Sequence, residues 1–375
     1  MDESTQALDE LFRQAIRRKV FSGAALSAGE PCRTVLRKTW GATRFGGVPV
    51  GEETLFDLAS LTKPLVTACL CMDAVRRGHM ELDAPLSRFF PRRMIPRDKR
   101  SVTVRHLLAH CSGLPPYRPF YRDLWGIPPA KRLETVVRWI LSTPLLALPE
   151  TECHYSDLGF ILLGWILEEA LGAPLDRLAR RLLFRPAGVS LGFRRFGEED
   201  GDGSAAGDPG VAATEFCPWR GRLLQGEVHD ENAWMLGGVA GHAGLFGTAR
   251  EVHRWLGILW RTLKGPSNPL GWPSSLVQEL FRKQELVRGS TRTPGFDTPS
   301  PQGSSAGHCF SSSSVGHLGF TGTSFWMDLR REAVVVLLTN RVHASREGSA
   351  MSDFRPLAHD AVMRALGKGA WRCGD

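Results

Sequence analysis

The 375-residue sequence predicts an α/β fold: an α+β sandwich in which helices flank an antiparallel sheet, with an all-α lobe inserted. Three observations predict it. Strand-like runs lie near both ends of the chain, apolar residues at helical spacing dominate the middle, and the length suits two domains or one large core with an insertion. At 42% hydrophobic and 23% charged residues, the composition supplies the interior that such a fold needs.

Residues 5–18 pattern as an amphipathic helix. FSGAALSAG and CRTVLRKTWG, punctuated by glycine, read as two antiparallel strands. FDLASLTKPLVT, Phe56 to Thr67, opens the next helix. From Thr103 to about Leu183 the runs VRHLLAH, LETVVRWIL and LGFILLGWILEEAL place apolar residues on helical faces and form the insertion. TAREVHRWLGILWRTL is a further helix, TSFWMDLRR and EAVVVLLTNR are strands, and FRPLAHDAVMRALG is a closing helix. Residues 197–210, acidic and glycine-rich, and 286–314, rich in Ser, Pro and Gly, read as exposed loops. No internal repeat is found. The sandwich domain is expected to comprise residues 1–65 and 236–375 and the mainly helical domain 66–235, with the active site at their junction.

A formal charge of +8 arises from 47 basic and 39 acidic residues. The densest basic run, PRRMIPRDKR (91–100), is short and lacks interleaved aromatics, so it reads as a solvated loop and no nucleic-acid partner is expected. No run reaches the roughly 18 uninterrupted apolar residues of a membrane span, since GFILLGWIL ends at Glu168 and Glu169. The opening segment also lacks the apolar stretch of a secretory signal, so the expected location is the cytoplasm, without membrane association. The eight cysteines (Cys32, Cys69, Cys71, Cys111, Cys153, Cys217, Cys309 and Cys373) form no C-x-x-C pair and are expected as free thiols.

Ser60-Leu61-Thr62-Lys63 is an S-x-x-K tetrad at the mouth of a helix. Positions three apart share a helix face, so the lysine amine can reach the serine oxygen. The free N–H groups of the first turn favour an alkoxide and an unprotonated lysine. Alone the tetrad reads as a serine N-cap, because ordinary usage yields on the order of one such match per few hundred residues. A serine/lysine hydrolase also needs a second proton-transfer group and an oxyanion-binding strand. Of the three tyrosines, Tyr155 precedes the long apolar helix LGFILLGWILEEAL, whereas Tyr121 is followed by WGIPPAK. The third element, Gly316-His317-Leu318-Gly319-Phe320-Thr321-Gly322-Thr323, stands just before a strand, and its glycines permit close backbone approach to a ligand.

In this order the three elements resemble the motifs of the serine β-lactamase and penicillin-binding-protein superfamily: S-x-x-K, S-D-N or Y-x-N, and K-T-G. The tyrosine form is similar to class C β-lactamases and their esterase and D-peptidase relatives. TVRHLLAHCSGLPPY, GHAGLFGTA (241–249), GFTGTS and LLTNR extend the likeness from about Val20 to the C-terminus. The resemblance implies that Ser60 attacks a carbonyl to form an acyl-enzyme, on an amide, peptide or ester substrate. It further implies that Lys63 and Tyr155 share the proton work and that the N–H groups of Ser60 and Phe320 form the oxyanion hole. Asp157, His317 and Gly319 would bind substrate. No metal or cofactor is implied, and the expected partner is a small-molecule or peptide substrate.

Two positions depart from the family pattern. Asp157 stands where Asn is usual; ionised, it accepts but does not donate hydrogen bonds, which favours a charged Lys63 and shifts the burden to Tyr155. His317 stands where K-T-G has lysine, so it would attract a carboxylate only when protonated, leaving that task to an arginine otherwise. These departures motivate an alternative expectation, a catalytically weak binding or scaffold protein that retains the fold.

Four rival features are weaker. Gly303-Ser304-Ser305-Ala306-Gly307 matches G-x-S-x-G but lacks the strand before it and the helix after it. His106 and His110 have ligand spacing without the glutamate of HExxH, so packing is expected. Val228-His229-Asp230-Glu231-Asn232 is read as a hydrogen-bonded loop anchor, and His242 as either a pocket or a turn residue.

Overall fold

The computed structural model describes residues 3–195, 207–265 and 268–368. Most of the predicted 197–210 loop, and Cys373, lie outside the described residues. Five strands form one antiparallel sheet: β1 (Gly23–Glu30), β2 (Arg33–Gly41), β3 (Ser314–Leu318), β4 (Ser324–Asp328) and β5 (Ala333–Thr339). Their spatial order is β2-β1-β5-β4-β3, so the first and last parts of the chain meet at the β1–β5 pair, Ala24 opposite Thr339. Six helices matter most here: α1 (Glu3–Arg17), α2 (Cys69–Arg76), α3 (Pro129–Ser142), α4 (Asp157–Leu171), α5 (Ala249–Lys264) and α6 (Ala350–Ala365).

The central strand β5, AVVVLLT, is buried at every position. It reads as a continuous apolar run because both faces of the sheet are covered. Val335 and Leu337 join Leu8 and Phe12 of α1 and Phe354 and Val362 of α6 in one core. Val334, Val336 and Leu338 point the other way, into a larger core with Trp255 and Leu259 of α5 and the apolar residues of α2, α3 and α4. Helix α4 is capped by Ser156, whose Oγ accepts from Gly159 N at 3.3 Å, and ends at Gly172 in the left-handed conformation (φ 66°). No single helix among the described residues is long and apolar enough to cross a membrane.

The segment 286–314 corrects the expectation of an exposed loop. It has no long regular element, yet Phe296, Ala306, Cys309 and Phe310 are buried in the two cores. Its Gly, Ser and Pro allow the turns, and its few large apolar residues anchor them. The 91–100 run is likewise only partly solvated, with Ile95 and Lys99 buried.

Several histidines are buried and neutral. His359 donates Nδ1–H to Ser305 O at 2.8 Å and faces Ser324 Oγ at 3.1 Å through Nε2, and burial pulls its pKa down to about 4. His253 is lowered in the same direction by burial between Ser27 Oγ and Glu30 O. Unfolding releases these groups to bind protons, so the unfolded state gains stability as pH drops below the ordinary histidine pKa. Stability should therefore fall from about pH 6.5 towards pH 4, His359 alone accounting for up to about 3 kcal/mol. Urea midpoints at pH 7.5 and 4.5 check this; equal midpoints would contradict it.

Candidate active site

The chain enters the site on a two-residue strand, Phe56–Asp57, paired with Leu245–Gly247. Ser60 then sits in a 3-10 turn, Ala59–Leu61, and Lys63 begins a π-type segment, Lys63–Ala68, that leads into α2. The regular helix expected from the sequence is thus replaced at its start. Pro64 lacks an N–H and disfavours helical angles at Lys63, while Ala59 holds a positive φ of 47°. That strained angle is held from both sides. Ala59 N donates to the buried Asp57 Oδ1 at 2.8 Å, and Thr62 Oγ1 donates to Ala59 O at 2.6 Å. Asp57 Oδ2 also accepts from His229 N at 2.7 Å, although burial still pushes the pKa of this carboxyl up. Ser60 occupies the first turn without a side-chain cap, so it is not an N-cap.

Lys63 is fully buried beneath Ser60. Its Nζ donates to Ser60 Oγ at 2.9 Å and to His242 O at 3.1 Å, and pairs with Asp157 Oδ1 at 2.7 Å. Burial depresses the lysine pKa, but Asp157 and Tyr155 outweigh it and hold the group above its ordinary value. Tyr155, just ahead of the α4 cap, has its pKa raised by burial and Asp157 against the opposing pull of Lys63 and Ser60. The resting pair is therefore an ammonium beside a neutral phenol.

Tyr155 is caged by His317, expected at the site, and by His110 and Arg292, which the sequence did not assign to it. The His110 ring lies 4.5 Å from it, that of His317 5.9 Å, and the Arg292 guanidinium 5.3 Å. Arg292 itself pairs with Asp297 at 3.1 Å. His110 lies beyond the Val104–Leu108 helix with φ 57°, and its Nδ1 accepts from Ser156 N at 3.0 Å. His106 stays at that helix, where its Nε2 meets Glu150 at 2.7 Å. The pair therefore forms no metal site.

His317 corrects the expectation of a pH-dependent carboxylate binder. Burial, with Lys63 and Arg292 nearby, pushes its pKa well below the ordinary value. Its Nδ1–H donates to Leu318 O at 2.8 Å, which leaves Nε2 as a buried acceptor without a partner among the described residues. It offers no charge to a carboxylate.

The loop after β3 is tied to the Ser60 turn. Thr321 Oγ1 donates to Asp57 O at 2.7 Å and Thr323 Oγ1 to Leu58 O at 3.1 Å. Gly319 makes that approach possible, because a Cβ there would stand 2.0 Å from Thr323 Oγ1 and 2.8 Å from Leu58 O. Among the described residues the Phe320 N–H donates to no backbone carbonyl. Its ring stands exposed at the cleft mouth.

These residues line a cleft of about 660 Å³ that brings together Ser60, Tyr155, Asp157, His317, Gly319 and Phe320, with Lys63 below. His229, Asp230, Glu231 and His242 also reach it. Asp230 caps the Glu231–Met235 helix and meets His242 Nε2 at 2.9 Å, so this segment is both anchor and cleft wall. Tyr121 is buried against Trp219 instead, and Ser305 lies in a loop with neither strand nor helix beside it. Glu215, Cys217 and Glu231 approach one another as metal ligands could. Arg346 already joins the two carboxylates, at 2.9 Å and 2.6 Å, so they do not form a vacant cation site.

A family model described as Beta-lactamase matches residues 8–359. A "Putative D-alanyl-D-alanine carboxypeptidase" of Escherichia coli (strain K12) is 28% identical over 351 residues, spanning 83% of this chain and 76% of that protein. In structure the chain is similar to EstCE1, a hydrolase with promiscuous acyltransferase activity (TM-score 0.72, 22% identity, 96% of this chain and 98% of that one). It is also similar to the octameric penicillin-binding protein homologue from Pyrococcus abyssi (TM-score 0.71, 20% identity, 98% and 78%).

Proposed function

The chain belongs to the Beta-lactamase family, and from that premise we propose that it is a serine hydrolase that forms an acyl-enzyme through Ser60 and acts on amide, peptide or ester bonds. The observation that carries this reading is the 2.9 Å hydrogen bond from the buried Lys63 Nζ to Ser60 Oγ, on the floor of a cleft that also holds Tyr155. The reacting form is the pair that has given up one proton to solvent, a Tyr155 phenolate beside the Lys63 ammonium. As Ser60 Oγ bonds to the substrate carbonyl carbon, its proton passes to that phenolate. The N–H groups of Ser60 and Phe320 receive the oxyanion. The same pair returns the proton to the leaving group, and water then releases the acyl group.

We assign Lys63 the role of a charged partner that prepares Tyr155, since Asp157 keeps the ammonium in place. Asp157 and the Nε2 of His317 present acceptors, which disfavours recognition of a lactam by an amide donor and an ammonium at these two positions. Small esters and D-amino-acid peptides are the substrate classes we favour, in keeping with the names of the relatives above. A panel of p-nitrophenyl esters, D-Ala-D-Ala peptides and a chromogenic cephalosporin tests this. Turnover of esters or D-peptides at least about tenfold above the cephalosporin in kcat/KM is expected, a difference of about 1.4 kcal/mol in barrier. No turnover of any of them would favour the scaffold alternative.

A further inference from the structure

Three cations at the cleft face a carboxylate: Lys63 with Asp157, Arg292 with Asp297, and Arg346 with Glu231. Arg355 and Arg341 have no acidic partner among the described residues. Arg355 extends from α6 and is only 8% exposed. Its Nη2 donates to Gly319 O at 2.8 Å and to Thr323 O at 3.3 Å, while its Nε has no partner among the described residues. Arg341 Nε donates to Phe320 O at 2.7 Å, and its guanidinium stands 4.6 Å from the Phe320 ring. Burial pulls the Arg355 pKa down to about 10, with the charge of Arg341 adding to the effect, so the group remains a cation at neutral pH. A buried cation without a counter-charge is costly in the resting protein.

Its position gives that cost a use. The Gly319 carbonyl and the Phe320 N–H belong to one planar, conjugated peptide unit. A cation hydrogen-bonded to the oxygen draws electron density from the nitrogen and makes the N–H a stronger donor. We propose that Arg355 is a positioning residue of the reaction, holding and polarising the Gly319–Phe320 peptide so that the Phe320 N–H binds the oxyanion more strongly. The inference rests on the assignment of the Ser60 and Phe320 N–H groups to the oxyanion hole.

The electron flow is that of the acyl transfer above. Ser60 Oγ bonds to the carbonyl carbon, the π pair moves onto oxygen, and the serine proton goes to the Tyr155 phenolate beside the Lys63 ammonium. Collapse re-forms the carbonyl and breaks the bond to the leaving group, which takes the proton back. The carbonyl oxygen carries full negative charge only between these events. Arg355 gains a counter-charge only then, so it favours the transition state over the bound substrate.

The test uses the full chain and an acyl-enzyme made from a p-nitrophenyl ester carrying ¹³C at its carbonyl. Wild type, Arg355→Met, Arg355→Gln and Arg355→Lys are compared by infrared difference spectroscopy, by affinity for an alkyl boronic acid, and by acylation kinetics. In Arg355→Met the acyl carbonyl band should move to higher frequency, and acylation and boronate affinity should fall together by roughly 10- to 100-fold, with KM nearly unchanged. Arg355→Lys should recover most of the loss. If Arg355→Met does not fold, Arg355→Gln and Arg355→Lys carry the same comparison. An unmoved band and unchanged boronate affinity, with only the melting temperature lowered, would overturn the proposal, as would a loss confined to KM. If wild type forms no acyl-enzyme, the Ser60 assignment falls and the inference with it; if wild type acylates and the band does not move, only the inference falls.

Discussion

Replacement of Ser60 by alanine should reduce acyl transfer by on the order of 10⁴-fold or more, because no other serine, and no threonine or cysteine, lines the cleft among the described residues. The serine hydroxyl is small, and the turn that presents it is held by Asp57 and Thr62 rather than by its own side chain. The variant should therefore fold, keep its melting temperature within a few degrees, and still bind a substrate analogue. Pre-steady-state assays with a p-nitrophenyl ester separate these effects: the burst of nitrophenol should vanish while substrate binding persists. A burst of wild-type size would remove Ser60 from the mechanism.

Lys63→Met should be the second largest loss, roughly 10³- to 10⁴-fold in acylation, since methionine fills the volume but carries neither the hydrogen bond to Ser60 nor the charge beside Tyr155. It also leaves Asp157 without its cation. That carboxylate is one-fifth exposed, so water relieves part of the penalty. The single variant should lose stability by about 1–3 kcal/mol, and adding Asp157→Asn should restore most of it without restoring activity. Melting curves and acylation rates of the single and double variants check the two halves separately. Recovery of acylation in the double variant would show that the lysine acts only to neutralise Asp157.

Much of this site was legible because its chemistry-bearing residues sit in short local patterns. Ser60 and Lys63 lie within one turn, Tyr155 precedes a long buried helix, and Gly319 stands where two chain segments must approach. Strand β5 was equally legible, since AVVVLLT admits few other readings once both faces are covered. What was hidden depends on distant chain crossings. His110 reaches Tyr155 because the turn after Val104–Leu108 adopts a positive φ, and Arg292 does so from a segment whose composition reads as loop. Arg355 sits on a helix face whose neighbour, the Gly319 carbonyl, lies 36 residues earlier in the chain.

Charge state was the harder part to foresee. Residue type identified His317 as the replacement for a lysine, but burial and the neighbouring charges of Lys63 and Arg292 decide that it stays neutral, against the opposing pull of the Leu318 carbonyl. For Asp157 the sequence reading was sufficient, because the effect it predicts on Lys63 needs only proximity, and the two groups are 2.7 Å apart.

The most direct test of the central assignment is the mass of the intact protein after incubation with an alkyl fluorophosphonate, followed by mapping of the modified peptide. One adduct per chain is expected, on the peptide that contains Ser60, with none on Ser60→Ala. Equal labelling of the two proteins, or an adduct that maps to another residue, would contradict it.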